Sequence, residues 1–191
     1  MERFAPPDRQ TMAADVAALV DLTAAPGREP PPTIAVLAHQ PSLLGPFLGW
    51  AAALALNGAL PKADHELLAL RASWWCRSAF EWGEHVEYAR AAGLSDDDIA
   101  RLGAGPEATG WSARQAALLR AADELHAGCA LADGTWAALA AQFEPAELVE
   151  IPYVVGQYTM LSMVANAFGI AADPGHEPLP DAGTGPTAGG A

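Results

Sequence analysis

The chain has 191 residues, enough for one well-buried core and too few to demand a second domain. Hydrophobic residues make up 51% and charged residues only 17%, so much of the surface of its elements has to be covered, inside the core or between copies of the chain. The formal net charge is -13, and its 10 Lys and Arg residues are scattered singly; with no basic stripe to meet a phosphate backbone, nucleic-acid binding is not expected.

Periodic apolar positions, abundant Ala and few β-branched runs predict helix almost throughout, punctuated by Gly and Pro. The first helix is expected over Asp8 to Thr23, ended by a Pro-rich linker. Thr33 to Leu60 reads as helix broken near Pro41 or Pro46. Asp64 is expected to cap the next helix, which runs toward Trp75, and a further helical stretch reaches Ala91 with Gly93 as its stop. Ser95 with Asp98, and Ser112 with Gln115, are N-cap signals opening helices Asp96 to Leu102 and Ala113 to His126. Asp133 is expected to cap a short helix to Phe143, and Pro145 to open a long one through Ile170. The Gly- and Pro-rich tail that follows has too little apolar content to offset its ordering entropy and is expected to be flexible.

Two uncharged runs, Gln40 to Pro61 and Ile151 to Ala172, are long enough to span a bilayer. Their prolines and amides, and the absence of flanking basic clusters, favour buried helices over membrane insertion. Cys76 and Cys129 match neither a disulfide framework nor a zinc pattern, which fits a reducing, cytoplasmic setting. The first ten residues place charges and prolines where an export signal has its apolar stretch.

The chemistry concentrates between Cys76 and His85. Helical spacing puts Ser78, Glu81, Trp82 and His85 on one stripe, so that hydroxyl, carboxylate, indole and imidazole stand together. A carboxylate one turn from a histidine raises its basicity and suits it to carrying protons near neutral pH. The competing reading pairs Glu81 with Arg77 on a solvated face and leaves His85 half-buried. Glu66 lies nineteen residues before His85, roughly 28 Å along an unbroken helix at about 1.5 Å per residue. The chain must therefore turn between Ser73 and Arg77 for the two to meet. His39 reads as packed, His65 as a first-turn residue before Glu66, His126 as a helix-end residue and His176 as part of the tail. A metal held by Glu81 and His85 with His65 or Glu66 lacks a complete ligand spacing, so no metal and no cofactor is expected.

Taken together, His65-Glu66-Leu-Leu-Ala-Leu-Arg71, Phe80-Glu-Trp-Gly-Glu-His85, Ala92-Gly-Leu-Ser-Asp-Asp and Trp111-Ser-Ala-Arg-Gln-Ala-Ala-Leu-Leu-Arg120 resemble the carboxymuconolactone decarboxylase family, which includes the alkylhydroperoxidase D-like proteins. In the peroxidase branch two cysteines precede the histidine by seven and four residues; here those positions are Ser78 and Glu81. A dithiol cycle is thereby excluded at this place, because it needs a resolving thiol within disulfide reach.

The resemblance implies an all-α, alkylhydroperoxidase D-like bundle assembled as a trimer or hexamer. The expected organisation is an N-terminal helix and linker over 1–32, the helical domain over 33–172 and the tail over 173–191. The expected function is acid–base catalysis by Glu66, Glu81 and His85, in a decarboxylation or related lyase or isomerase step on a small organic acid. Arg71, Ser78 and Trp82 are the candidate substrate contacts, Arg71 as a carboxylate anchor. Two alternatives stay open: peroxidase chemistry through Cys76, whose thiolate Arg77 and a nearby helix start would favour, and a non-catalytic oligomeric binding protein.

Overall fold

The computed structural model describes residues 3–25 and 27–181, and among them every regular element is helical. No helix among the described residues is long and apolar enough to cross a membrane. The chain divides into two compact units. One comprises the residues up to 57 together with 164–171; the other comprises 58–163 with the residues from 172 onward. The helical domain expected over 33–172 thus contributes to both.

In the first unit, α1 (Ala14–Asp21), α2 (Pro32–Ala35), a 3-10 turn at Val36–His39 and α3 (Pro41–Asn57) close over Val16, Val20, Ala35, Ala38 and Leu44. Helix α1 starts six residues later than expected because Asp8 organises a turn instead, its carboxylate accepting from Gln10 N and its carbonyl from Thr11 N and Met12 N. The predicted break in the next helix falls before Pro41, which takes the first helical position where its missing N–H costs nothing. Pro46 is accommodated inside α3. Phe4 stacks on His39 and Phe168, and Arg3 N donates to the Phe168 carbonyl.

The second unit is built around α4 (Lys62–Trp75), which packs against α5 (Ala79–Ala91) and α7 (Ala113–Gly128). Every residue of α4 from Asp64 to Trp74 is buried, so this helix has no solvent face and its charged groups must find partners inside. Asp64 is not the cap it was expected to be. The N-cap is Pro61, and Asp64 reaches Arg114 of α7 at 2.7 Å. Helix α6 (Asp96–Arg101) and α7 both begin with complete capping boxes, Ser95 with Asp98 and Ser112 with Gln115. Helix α8 (Asp133–Ala140) packs on α7, and its N-cap is Ala132, so Asp133 supplies a first-turn charge and no cap. Helix α9 (Pro145–Phe168) opens on Pro145, as expected.

The part of the C-terminal tail that is described, up to Asp181, packs on α5 and the turn before it: Glu177 pairs with Arg90 at 3.0 Å, and Arg77 donates to the Pro180 carbonyl at 2.9 Å. The expected tail from 182 onward lies outside the described residues.

Candidate active site

The reversal from α4 to α5 is what assembles the site. Arg77 N donates to Trp74 O and Ser78 N to Ser73 O, with Arg77 in the left-handed region at φ 54°: a paired C-terminal motif that glycine usually completes. Ser78, fully buried, then caps α5, its hydroxyl accepting from Glu81 N at 3.4 Å. The turn thus falls in the stretch between Ser73 and Arg77.

It carries α5 back along α4 and brings His85 to Glu66. His85 Nδ1 lies 2.7 Å from Glu66 Oε2, and its other nitrogen, Nε2, faces Glu81 Oε2 at 3.8 Å. All three side chains are buried. Nδ1–H donates to the Glu66 carboxylate, which fixes the tautomer and leaves Nε2 as the exchanging nitrogen. Burial disfavours the His85 charge, but the hydrogen bond and charge of Glu66, then the charge of Glu81, outweigh it and raise the imidazole above its ordinary 6.5. Burial pushes Glu81 from 4.5 up to about 7, against the attraction of His85, and its Oε1 makes no hydrogen bond. A buried carboxyl raised to about 7, facing an imidazole raised above its ordinary value, is equipment for proton transfer.

Sequence reasoning missed a further contributor, Tyr158 of α9. Its ring stands edge-on to His85, with centroids 4.3 Å apart, and its hydroxyl is 2.9 Å from His65 Nε2. Burial raises Tyr158 beyond the ordinary phenol range, reinforced by Glu66 and Glu81. Burial also lowers His65, so this pair stays neutral. Behind it, Glu150 of α9 accepts from Ala59 N and Leu60 N. The only signal for Tyr158 was a hydroxyl in a run otherwise read as apolar filling.

The remaining expected site residues are placed as follows. Trp82 is fully buried, and its indole N–H makes no hydrogen bond. Arg71, expected as a substrate anchor, is engaged within the protein. Nε and Nη2 grip Asp123 at 2.6 and 2.9 Å, and Nη1 donates to the Leu102 carbonyl at 2.6 Å. Arg77 cannot pair with Glu81 as the competing reading required, since Glu81 is buried and the Arg77 guanidinium sits on Pro180. Cys76 caps the C-terminal end of α4, where the helix dipole opposes a thiolate. Burial pushes its thiol up, only partly offset by the neighbouring Thr159 and Ser162 hydroxyls.

Residues 42–124, which hold Glu66, Glu81 and His85, match the model of the carboxymuconolactone decarboxylase family. Over this stretch the chain is similar to that family. No curated protein matches the chain in sequence. Among solved structures, an uncharacterized peroxidase-related protein from Ralstonia eutropha with an alkylhydroperoxidase AhpD core superposes with a TM-score of 0.79 at 18% identity, covering 91% of this chain and 93% of that one. A protein of unknown function from Agrobacterium tumefaciens carrying an AhpD antioxidant-defence designation gives a TM-score of 0.65 at 24% identity over 72% of this chain and 94% of that one. The debrominase Bmp8, solved with 2,3,4-tribromopyrrole, gives 0.72 at 13% identity over 89% of this chain and 91% of that one. At these identities the likeness is one of fold: an all-helical, AhpD-like architecture.

Proposed function

We propose that Glu66, His85 and Glu81 form a cofactor-independent proton-transfer site for a lyase or isomerase step on a small organic acid, decarboxylation included. The observation that carries this is the 2.7 Å bond from Glu66 to His85 Nδ1 with Glu81 facing the opposite nitrogen. In a decarboxylation the bond to the departing carboxylate breaks and its electron pair passes into an adjoining carbonyl. The carbon then takes a proton from His85 Nε2–H, and neutral Glu81 returns a proton to the imidazole. Because Arg71 is committed to Asp123, the cation that meets the substrate's negative charge is the imidazolium itself.

The test is hydrogen–deuterium exchange at carbon in D2O, followed by NMR over a panel of small keto and unsaturated acids. The wild-type chain is expected to catalyse exchange on at least one member. His85→Ala should lose 100- to 10,000-fold of that rate, roughly the worth of a positioned general acid–base group. Exchange that His85→Ala leaves untouched refutes the reading.

A thiol mechanism, suggested by relatives described as peroxidase-related and as a debrominase, depends on Cys76. The raised thiol predicts that Cys76→Ser keeps any activity within about twofold, since a reactive cysteine needs a lowered pKa. We also infer that the chain forms homo-oligomers through exposed apolar residues such as Leu43 and Leu56 on α3 and Val149 and Met163 on α9. Light scattering on the purified chain measures this directly.

A further inference from the structure

We propose that Glu84, Asp173 and His176, with Glu87 beside them, form a binding site for a divalent first-row transition-metal ion, separate from the proton-transfer site. Three features converge on it. The first is a seat for the imidazole: a Cβ at Gly83 would fall 2.7 Å from His176 Cβ and 2.9 Å from its Nδ1. Only glycine at position 83 lets the His176 ring lie against the α5 backbone, where its side chain is 6% exposed.

The second is spacing. Seated this way, His176 directs Nε2 at Glu84 Oε1, 3.6 Å away, and at Glu87 Oε1, 3.7 Å away. These separations are long for a hydrogen bond. Two ligands about 2.0–2.1 Å from a tetrahedral ion stand about 3.4 Å apart, close to what is found here. The turn in which His176 N donates to Asp173 O brings the Asp173 carboxylate to the same point, and one ligand atom from each of Glu84, Asp173 and His176 lies within 4.8 Å of the others.

The third is donor type and support. Three carboxylates beside one imidazole make a mixed oxygen and nitrogen donor set of the kind a transition-metal dication takes. Arg90–Glu177 and Arg77–Pro180 hold the segment that follows the turn, so His176 is kept on α5 by contacts that need no ion. An imidazole nitrogen among the donors favours zinc, nickel or copper over manganese, magnesium and calcium.

The test is isothermal titration of the full chain with zinc chloride in excess magnesium, with cobalt absorption as an independent reading of coordination. One zinc per chain is expected, with affinity falling at least tenfold in His176→Ala and in Glu84→Gln. Gly83→Ala is the decisive variant, because it keeps all four side chains and replaces a helix-interior glycine by a better helix former, yet must unseat His176 and weaken zinc to the same degree. Glu87→Gln, at an exposed position, guards against loss of folding as the explanation. Absence of stoichiometric zinc binding overturns the proposal, as does binding that survives both His176→Ala and Gly83→Ala. His85→Ala should leave zinc binding intact, and its loss in that variant would place the ion at the other histidine.

Discussion

Helix α4 carries two buried charged clusters about one and a half turns apart, and they are built on opposite plans. Around Arg71 the interactions are complete: bidentate to Asp123, Nη1 on a carbonyl, the Trp75 indole donating to Asp123 at 2.6 Å, and the guanidinium lying over Trp74 and Trp75. Around Glu66 they are incomplete. The Glu66–His85 bond is short, but Glu81 is buried opposite it with one oxygen unbonded and a pKa far from its ordinary value. A satisfied buried network rigidifies, whereas a partly satisfied one stores free energy in a protonation state and can exchange it with a substrate. The same helix therefore holds the fold with one cluster and, in the function proposed above, offers chemistry with the other.

This contrast can be broken by substitution. The largest effect on stability is expected from Arg71→Ala, which strands Asp123 and should cost about 3–5 kcal/mol in denaturant unfolding, as removal of one partner from a buried ion pair does. Any loss of activity should then track only the unfolded fraction. If Arg71 instead raises KM for anionic substrates in the folded protein, the assignment of roles to the two clusters is wrong.

Glu81→Gln should act in the opposite direction. A folded-state pKa above the unfolded one means the native chain binds the extra proton, so Glu81 lowers stability as pH rises from about 4.5 through 7. The variant should match the wild type near pH 4 and exceed it above pH 7, by up to about 3 kcal/mol for a shift of that size. Its proton-transfer rate should fall over the same range. The smallest effect is expected from Tyr158→Phe: loss of the partner of His65 Nε2 should cost about 1 kcal/mol, measured by urea unfolding, with a modest fall in rate.

How much of this was legible in the sequence depended on how local the determinants were. The capping boxes at Ser95 and Ser112 are four-residue signals and were readable as such. For Glu66 and His85 to meet, a distance argument within nineteen residues demanded a turn, just where Arg77 makes one. Asp64 and Arg71 resisted because their partners, Arg114 and Asp123, lie 50 and 52 residues away on α7, and nothing in a local pattern tells a cap or a substrate anchor from half of a buried ion pair. Tyr158 resisted for the same reason: its polar partner lies 93 residues back.

That difference in span also bears on the order in which the site is built. The Glu66–His85 contact closes a loop of 19 residues and the His65–Tyr158 contact one of 93. Loop-closure entropy grows with the logarithm of length, so the second contact carries about 1.4 kcal/mol more of it. The α4–α5 hairpin can thus pair its glutamate and histidine early in folding, and α9 arrives later to cover a charge pair that has already formed.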